Sequence, residues 1–240
     1  LDENMKKLGD GIEAKIGNWK FSGEVVKNFD NHIKKSVPGY DEGHELITKL
    51  VPFFVGETGS KIVEIGCSTG KLTKKICKSI DRSDLQFLGI DIETDMINFA
   101  KENNEYENCS FEVADVKDYD ISNSSIISSY YTIQFINPSI RQMIINKIFK
   151  SLNWGGAFIF FEKVRGPDAR FQDILQTLYT EYKMSQGYNE KEIIGKTLSL
   201  KGILEPFSSN ANIDMLKRAG FKDINLIFKR LCFEGYLAIK

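Results

Sequence analysis

Short apolar runs alternate along this chain with amphipathic stretches of about ten to fifteen residues, the arrangement of an α/β sheet in which strands and helices take turns. The runs that predict strands span 61–66, 85–91, 110–114, 125–130 and 157–162, with a closing pair at 223–229 and 231–239. That closing pair leaves no room for a crossover helix, so it predicts an antiparallel hairpin at one edge of an otherwise parallel sheet. The clearest helix takes Asn137 as its N-cap and Pro138 at its first position. Ile140, Met143, Ile144, Ile148 and Leu152 form its buried face, and Gly155-Gly156 stops it.

Two regions fall outside this alternation. Residues 19–55 read as two helices broken at Val37-Pro38-Gly39-Tyr40, with Val25, Val26, Phe29 and Ile33 on one face and Leu46, Ile47, Leu50 and Phe54 on the next. Residues 167–206 read as a helical insertion carrying Phe171, Ile174, Leu175, Leu178 and Tyr182, followed by a break at Gly187-Tyr188 and a second short helix. The expected organisation is an N-terminal helical cover over 1–55 and a sheet domain over 56–240, with cover and insertion closing the open end of the sheet.

Composition narrows the classes of function. In 240 residues, 32 Lys and Arg face 33 Asp and Glu, a formal charge of −1, so no basic field exists to hold a phosphate backbone. No apolar run approaches the ~20 residues of a membrane span, and Leu1-Asp2-Glu3 followed by Lys6 and Lys7 lacks the apolar core of a signal peptide. A cytoplasmic protein without a membrane partner is expected. The start at Leu1 implies a trimmed terminus or a piece of something longer. Cys67, Cys77, Cys109 and Cys232 are scattered and only His32 and His44 accompany them, so reduced thiols are expected, with neither a disulfide framework nor a metal site.

The first strand runs into Glu64-Ile65-Gly66-Cys67-Ser68-Thr69-Gly70-Lys71-Leu72, a loop of small residues opening a helix, where backbone can approach a ligand closely. A P-loop is excluded because three residues, not four, separate the glycines and Leu72 stands where a hydroxyl should reach magnesium. A dinucleotide fingerprint fails at Ser68, where the second glycine should admit a pyrophosphate. An acid two residues before the first glycine, with another acid ending the next strand, suits a nucleoside without phosphates, such as S-adenosylmethionine. Asp91 ends strand two, in the crevice where open α/β sheets bind ligands, and can accept from both ribose hydroxyls. Asp115 ends strand three and can meet the adenine amino group. The plainer alternative for either acid is a helix cap.

With Gly66-Cys67-Ser68, Asp91, Asp115 and the hairpin, the chain resembles the class I S-adenosylmethionine-dependent methyltransferases, which implies a Rossmann-like, seven-stranded, mostly parallel sheet. Further segments are similar to the carboxy-S-adenosylmethionine synthase family: Ile16-Gly17-Asn18-Trp19-Lys20-Phe21, Ser36-Val37-Pro38-Gly39-Tyr40, Thr132-Ile133-Gln134-Phe135, Phe161-Glu162-Lys163, and Gly187-Tyr188-Asn189-Glu190 with Ile193 and Lys196. That family is dimeric and uses prephenate to convert S-adenosylmethionine into a carboxylated sulfonium for wobble-uridine modification of tRNA, without itself needing to hold RNA. The resemblance implies cofactor contacts at Tyr40, at Gly66, Cys67 and Ser68, at Asp91 and Ile92, and at Asp115 and Val116.

Two positions depart from that pattern. Tyr130 occupies the slot of an asparagine at the end of strand four, and Thr197 stands where the family places an arginine for the extra carboxylate of its product. A buried carboxylate needs a partner, and a threonine hydroxyl does not replace a guanidinium fork. Lys196, Arg141, Arg165 and Arg170 are the candidate replacement cations. The expected function is therefore methyl transfer from S-adenosylmethionine to a small-molecule acceptor. Carboxy-S-adenosylmethionine synthesis is the alternative, and a non-catalytic binding module is a third; direct tRNA methylation is disfavoured by the charge.

Methyl transfer needs alignment, exclusion of water and, for an acidic acceptor, a base within hydrogen-bond reach. Tyr131, Gln134 and His44 are the candidates for catalysis. Tyr130 is a candidate cofactor contact, and Met96 lies either over the adenine or in a gap under the second helix. Glu162 and Lys163 read as further candidates or as a strand-end ion pair.

Overall fold

A computed structural model describes residues 6–10, 12–56, 60–80 and 82–240. The opening Leu1-Asp2-Glu3, on which the reading of the N-terminus rested, lies outside the described residues. Seven strands form one sheet: β1 (Lys61–Ile65), β2 (Gln86–Asp91), β3 (Cys109–Val113), β4 (Ser124–Tyr130), β5 (Leu152–Lys163), β6 (Asp223–Arg230) and β7 (Phe233–Ile239). Their spatial order is β3-β2-β1-β4-β5-β7-β6. The first five are parallel, β7 runs antiparallel between β5 and β6, and the order reverses between β1 and β4. Ligands in such sheets bind at that reversal, beyond the carboxyl ends of the strands.

Alternation along the central strands fills both faces. Ile62 and Phe87 turn toward one layer, joined by Ile47 of α2 (Tyr40–Leu50) and by Leu72 and Ile76 of α3 (Lys71–Ser79). Val63, Ile65, Leu88 and Ile90 turn toward the other, joined by Ile144, Ile145 and Ile148 of α5 (Pro138–Ser151) and Leu216 of α8 (Ser209–Ala219). Asn137 caps α5 as expected, its Oδ1 accepting from the Ser139 amide at 3.0 Å. The helix stops one residue earlier than its apolar face suggests: Leu152 opens β5 and pairs with Ser124 across an irregular register.

The first cover helix is α1 (Glu24–Ser36), and it breaks from α2 where expected. Its apolar residues join Leu8, Ile12, Trp19 and Met96, the last from α4 (Thr94–Glu102), in a third cluster. The insertion forms α6 (Ala169–Ser185) and α7 (Glu190–Ser199). Cover and insertion interlock above the strand ends: the Gly17 and Trp19 amides donate to Leu198 and Ser199 carbonyls, and the Tyr179 hydroxyl donates to the Ser36 carbonyl at 2.7 Å.

Candidate functional site

Beneath that cover lies a cavity of about 850 Å³, near the upper end of the range for small-molecule sites. Its floor is the loop after β1. Gly66 lies at φ +70° and Gly70 at +72°, and a Cβ at Gly66 would collide with the Thr132 side chain. The Gly66 and Cys67 amides both donate to the Ile90 carbonyl, fastening the loop to β2. Gly70 offers no side chain to cap α3. The buried Glu64 carboxyl takes over, accepting from the Thr73 amide at 2.9 Å and from its hydroxyl. Burial outweighs those bonds and pushes its pKa up to about 8.

Asp91 is oriented by this loop. Its Oδ2 accepts from the Ser68 amide at 2.9 Å and its Oδ1 from the Glu93 amide at 3.0 Å. Burial raises its pKa against the opposing pull of those amides. Asp115 repeats the same local turn, Oδ1 accepting from the Lys117 amide at 2.8 Å. Both acids line the cavity with lone pairs left over, so each serves its own turn and still faces the ligand. Ser68, Cys67, Ile92 and Val116 line the same end.

Met96 does not reach it. It is fully buried among Leu8, Trp19 and Phe29, and fills the gap under the helix instead of covering an adenine.

Tyr40 begins α2 at the cavity wall, with His44 and Tyr130 around it at ring separations of 4.6 and 5.1 Å. The Tyr130 hydroxyl donates to the Tyr40 carbonyl at 2.6 Å, so Tyr130 offers a ligand its ring and not its hydroxyl. Tyr131 sits at φ +61°, a rare conformation for a bulky residue, and its buried hydroxyl has no partner. Gln134 lines the cavity, but its Nε2 donates to the Tyr131 carbonyl and its Oε1 accepts from the Lys163 amide at 2.8 Å. It holds the loop after β4 and is not a free base. His44 is buried with both ring nitrogens unpartnered; burial, aided by Lys71, pushes its pKa down to about 3.

The other histidine is better equipped. His32, on α1, lines the cavity with its Nδ1 at 3.0 Å from Asp10 Oδ2. The Tyr188 hydroxyl donates to the same oxygen at 2.6 Å, and Lys35 donates to Oδ1 at 2.6 Å. Burial works against the Asp10 charge, yet these bonds together hold its pKa at about 2. An ionised carboxylate only accepts, so Nδ1 carries the proton and the lone pair sits on Nε2, which is buried and unpartnered. Burial, reinforced by Lys196, lowers the His32 pKa to about 4. The sequence held one sign of this site: on the α1 face of Val25, Phe29 and Ile33, a histidine is out of place.

Glu162 and Lys163 form no ion pair, because successive residues of β5 point to opposite faces. Glu162 is buried away from the cavity, its pKa driven up by burial despite Arg141, whereas Lys163 enters it. Thr197 lines the wall with its hydroxyl donating to the Ile193 carbonyl at 2.9 Å. Arg141 is no replacement for the arginine expected there: its guanidinium donates to the carbonyls of Ile136, Glu205 and Gln134. Arg165 reaches the cavity rim and Lys196 its wall.

These residues fit S-adenosylmethionine. Asp91 and Asp115 would hold the nucleoside, and the Gly66–Ser68 loop and Tyr40 the amino-acid part. The buried, unpartnered polar atoms of Trp19, His32, His44 and Tyr131 all belong to residues that line the cavity. All four cysteines are buried as free thiols, and among the described residues no group of His, Cys, Asp or Glu is placed to hold a metal.

A methyltransferase-domain family model matches residues 62–156, which contain the loop and both acids. The carboxy-S-adenosyl-L-methionine synthase of Staphylococcus epidermidis is 37% identical over 92% of this chain and 97% of its own length. That of Campylobacter lari is 35% identical over 92% and 94%. Among solved structures, the magnesium protoporphyrin IX methyltransferase of Synechocystis, with S-adenosylhomocysteine bound, superposes at a TM-score of 0.59 and 10% identity, covering 89% of this chain and 94% of that one. An S-adenosylmethionine-dependent methyltransferase of Mesorhizobium loti superposes at 0.56 and 15% identity, covering 84% and 100%. Sheet order, cofactor-end geometry and near full-length similarity agree: this chain belongs to the carboxy-S-adenosyl-L-methionine synthase family, built on the class I S-adenosylmethionine-dependent methyltransferase fold.

Proposed function

We propose that this protein transfers the methyl group of S-adenosylmethionine to a small acceptor whose reacting atom gives up a proton, and that His32 Nε2 receives it. The carrying observation is the His32 Nδ1–Asp10 Oδ2 contact at 3.0 Å with an unpartnered Nε2 behind it, which, with Asp10 ionised and the Tyr188 hydroxyl donating to it, leaves the lone pair on Nε2. When bound, the cofactor supplies an electrophilic methyl on sulfur. The acceptor would take that methyl as it gives up its proton, and the cofactor would be left as a neutral thioether. His32 takes the proton, and Asp10 stabilises the imidazolium that forms. The interlocked cover keeps water out and fixes the approach.

Thr197 supports this reading over carboxylation only as far as the guanidinium goes: its hydroxyl is engaged and Arg141 is saturated, while the cations that line the cavity are Lys163, Lys183 and Lys196, with Arg165 at the rim. Its test is turnover with a panel of acidic acceptors. His32→Asn keeps a donor toward Asp10 and leaves cofactor binding intact, while lowering kcat by ~10²-fold or more. Unchanged kcat overturns His32 as the base. Asp91→Ala abolishes cofactor binding, measured by calorimetry.

A second reading, prephenate-dependent synthesis of the carboxylated sulfonium, is favoured by similarity along nearly the whole length of the curated synthases. Mass spectrometry of the small molecules released on denaturation separates the two. Carboxylated sulfonium identifies a synthase; S-adenosylmethionine or S-adenosylhomocysteine alone favours methyl transfer. We further propose a cytoplasmic homodimer, supported by the family resemblance and by the exposed stripe of Phe171, Ile174 and Leu178 on α6; sedimentation measures the assembly.

A further inference from the structure

In the cover, α1 is tied by hydrogen bonds to both turns that hold Asp91. The Thr69 hydroxyl, in the loop after β1, donates to Asp30 Oδ1 on α1 at 2.8 Å. The amide of Gly23, where α1 begins, donates to Asp95 Oδ2 on α4 at 2.9 Å. The neighbours of these groups hold Asp91 itself. Ser68 precedes Thr69 and donates its amide to Asp91 Oδ2, and Glu93, two residues before Asp95, donates its amide to Oδ1. Asp91 therefore joins the two turns, and each turn holds α1. The two ties differ in weight. Gly23 and Asp95 are exposed, so water competes for that bond, whereas Thr69 is 3% exposed and its hydroxyl is fixed on a carboxylate. Asp41 also pairs with Lys34 at 2.8 Å and Lys71 at 3.6 Å, joining α1, α2 and α3, but these pairs are largely exposed and solvent screens them.

The loop end of the Asp30 tie depends on being held. Ser68 lies at φ +49° and Gly70 at +72°, so Thr69 stands between two left-handed residues, one of them not glycine. A ligand seated on Asp91 and on the Gly66–Ser68 backbone fixes that conformation, and with it the direction of the Thr69 hydroxyl. The other end of the tie bears on the base. His32 lies two residues beyond Asp30, about 200° further round the helix, so α1 presents Asp30 to the loop and His32 to the cavity and Asp10. We propose that Asp30 is a positioning residue that couples the cofactor to the cover: S-adenosylmethionine on the loop strengthens the Thr69–Asp30 bond, which seats α1 and sets His32 against Asp10. The coupling rests on the methyl-transfer reading only for what His32 does once it is set. Coupling is reciprocal, so a seated α1 raises cofactor affinity by the factor by which the cofactor favours the seated helix.

The experiment is hydrogen–deuterium exchange of the whole chain with and without saturating S-adenosylhomocysteine, paired with calorimetry of its binding. In the unaltered protein S-adenosylhomocysteine slows exchange of the α1 amides at least tenfold. Asp30→Ala brings that gain below twofold and weakens S-adenosylhomocysteine binding by the same factor as the gain it loses. Asp30→Asn keeps an acceptor for the Thr69 hydroxyl and retains most of both. In a Thr69→Val background, Asp30→Ala changes neither any further. Unchanged α1 exchange on adding S-adenosylhomocysteine to the unaltered chain overturns the proposal, and that comparison needs no variant to fold. So does an Asp30→Ala chain that keeps the full gain, even if its α1 exchanges faster throughout, because Asp30 then serves helix stability alone. Additive effects in the double variant overturn it as well. Coupled protection without methyl transfer to any acceptor overturns the methyl-transfer reading and leaves the coupling standing; turnover with α1 exchange indifferent to the cofactor does the reverse.

Discussion

Tyr131 and His32 are two residues at which local preference loses to the site. A tyrosine in the left-handed region costs on the order of 1–3 kcal/mol, yet Tyr131 turns the chain at the end of β4 and lines the cavity there. Gly66 has the same kind of backbone without the strain. Gly66→Ala combines an unfavourable φ with the collision against Thr132, so we expect a loss of about 2 kcal/mol or more in urea unfolding and a parallel loss of cofactor affinity. His32 makes stability depend on pH. Its pKa falls from the ordinary 6.5 to about 4 in the folded state, so between those values the unfolded chain binds a proton that the folded chain refuses. Stability is full above pH 6.5 and declines as pH falls toward 4, with His44 adding to the slope. Asp10, near 2, does not enter that window. Thermal melts from pH 7 to 4 should show a smaller fall in Tm for His32→Asn than for the unaltered chain.

Among the elements, the loop after β4 depends most on a single side chain. Arg141 on α5 joins the carbonyls of Gln134 and Ile136 in that loop to that of Glu205 at the end of the insertion. Arg141→Met leaves three carbonyls to lose a charged donor, and we expect roughly 3 kcal/mol of destabilisation by denaturant titration. A fall in kcat larger than the rise in KM should accompany it, since Tyr131 and Gln134 lose their anchor. Arginine at this place reads in the sequence as a possible ligand to an anion. Its saturation by carbonyls is a property of how α5, the loop and the insertion meet.

At the scale of the whole molecule, the lysines that line the cavity weigh on stability. Burial, reinforced by Lys163, brings the Lys183 pKa from 10.5 down to about 8. Below pH 8 the folded protein carries that penalty in full; between 8 and 10.5 the folded state sheds its proton before the unfolded chain does, so this group's contribution to stability improves as pH rises. Lys183→Met removes the penalty. It should raise Tm at pH 7 and flatten that part of the pH dependence, in contrast to the loss expected of an ordinary buried residue.

The sheet, its hairpin edge, the capped α5 and the cofactor end were legible in the sequence because each is a local matter. Strand and helix periods, turn glycines, and acids at or two residues beyond the strand ends reveal themselves within a short window. The acceptor end was not. Asp10 and His32 stand 22 residues apart, Tyr188 a further 156 along the chain, and Lys163 and Lys183 belong to a strand and a helix of different layers. Sequence put Tyr130, Met96 and Gln134 near the ligand from position alone. Only the folded chain decided that the Tyr130 hydroxyl and the Gln134 amide are occupied and that Met96 is buried elsewhere, because the direction of a side chain and the partners it finds depend on the elements packed against it.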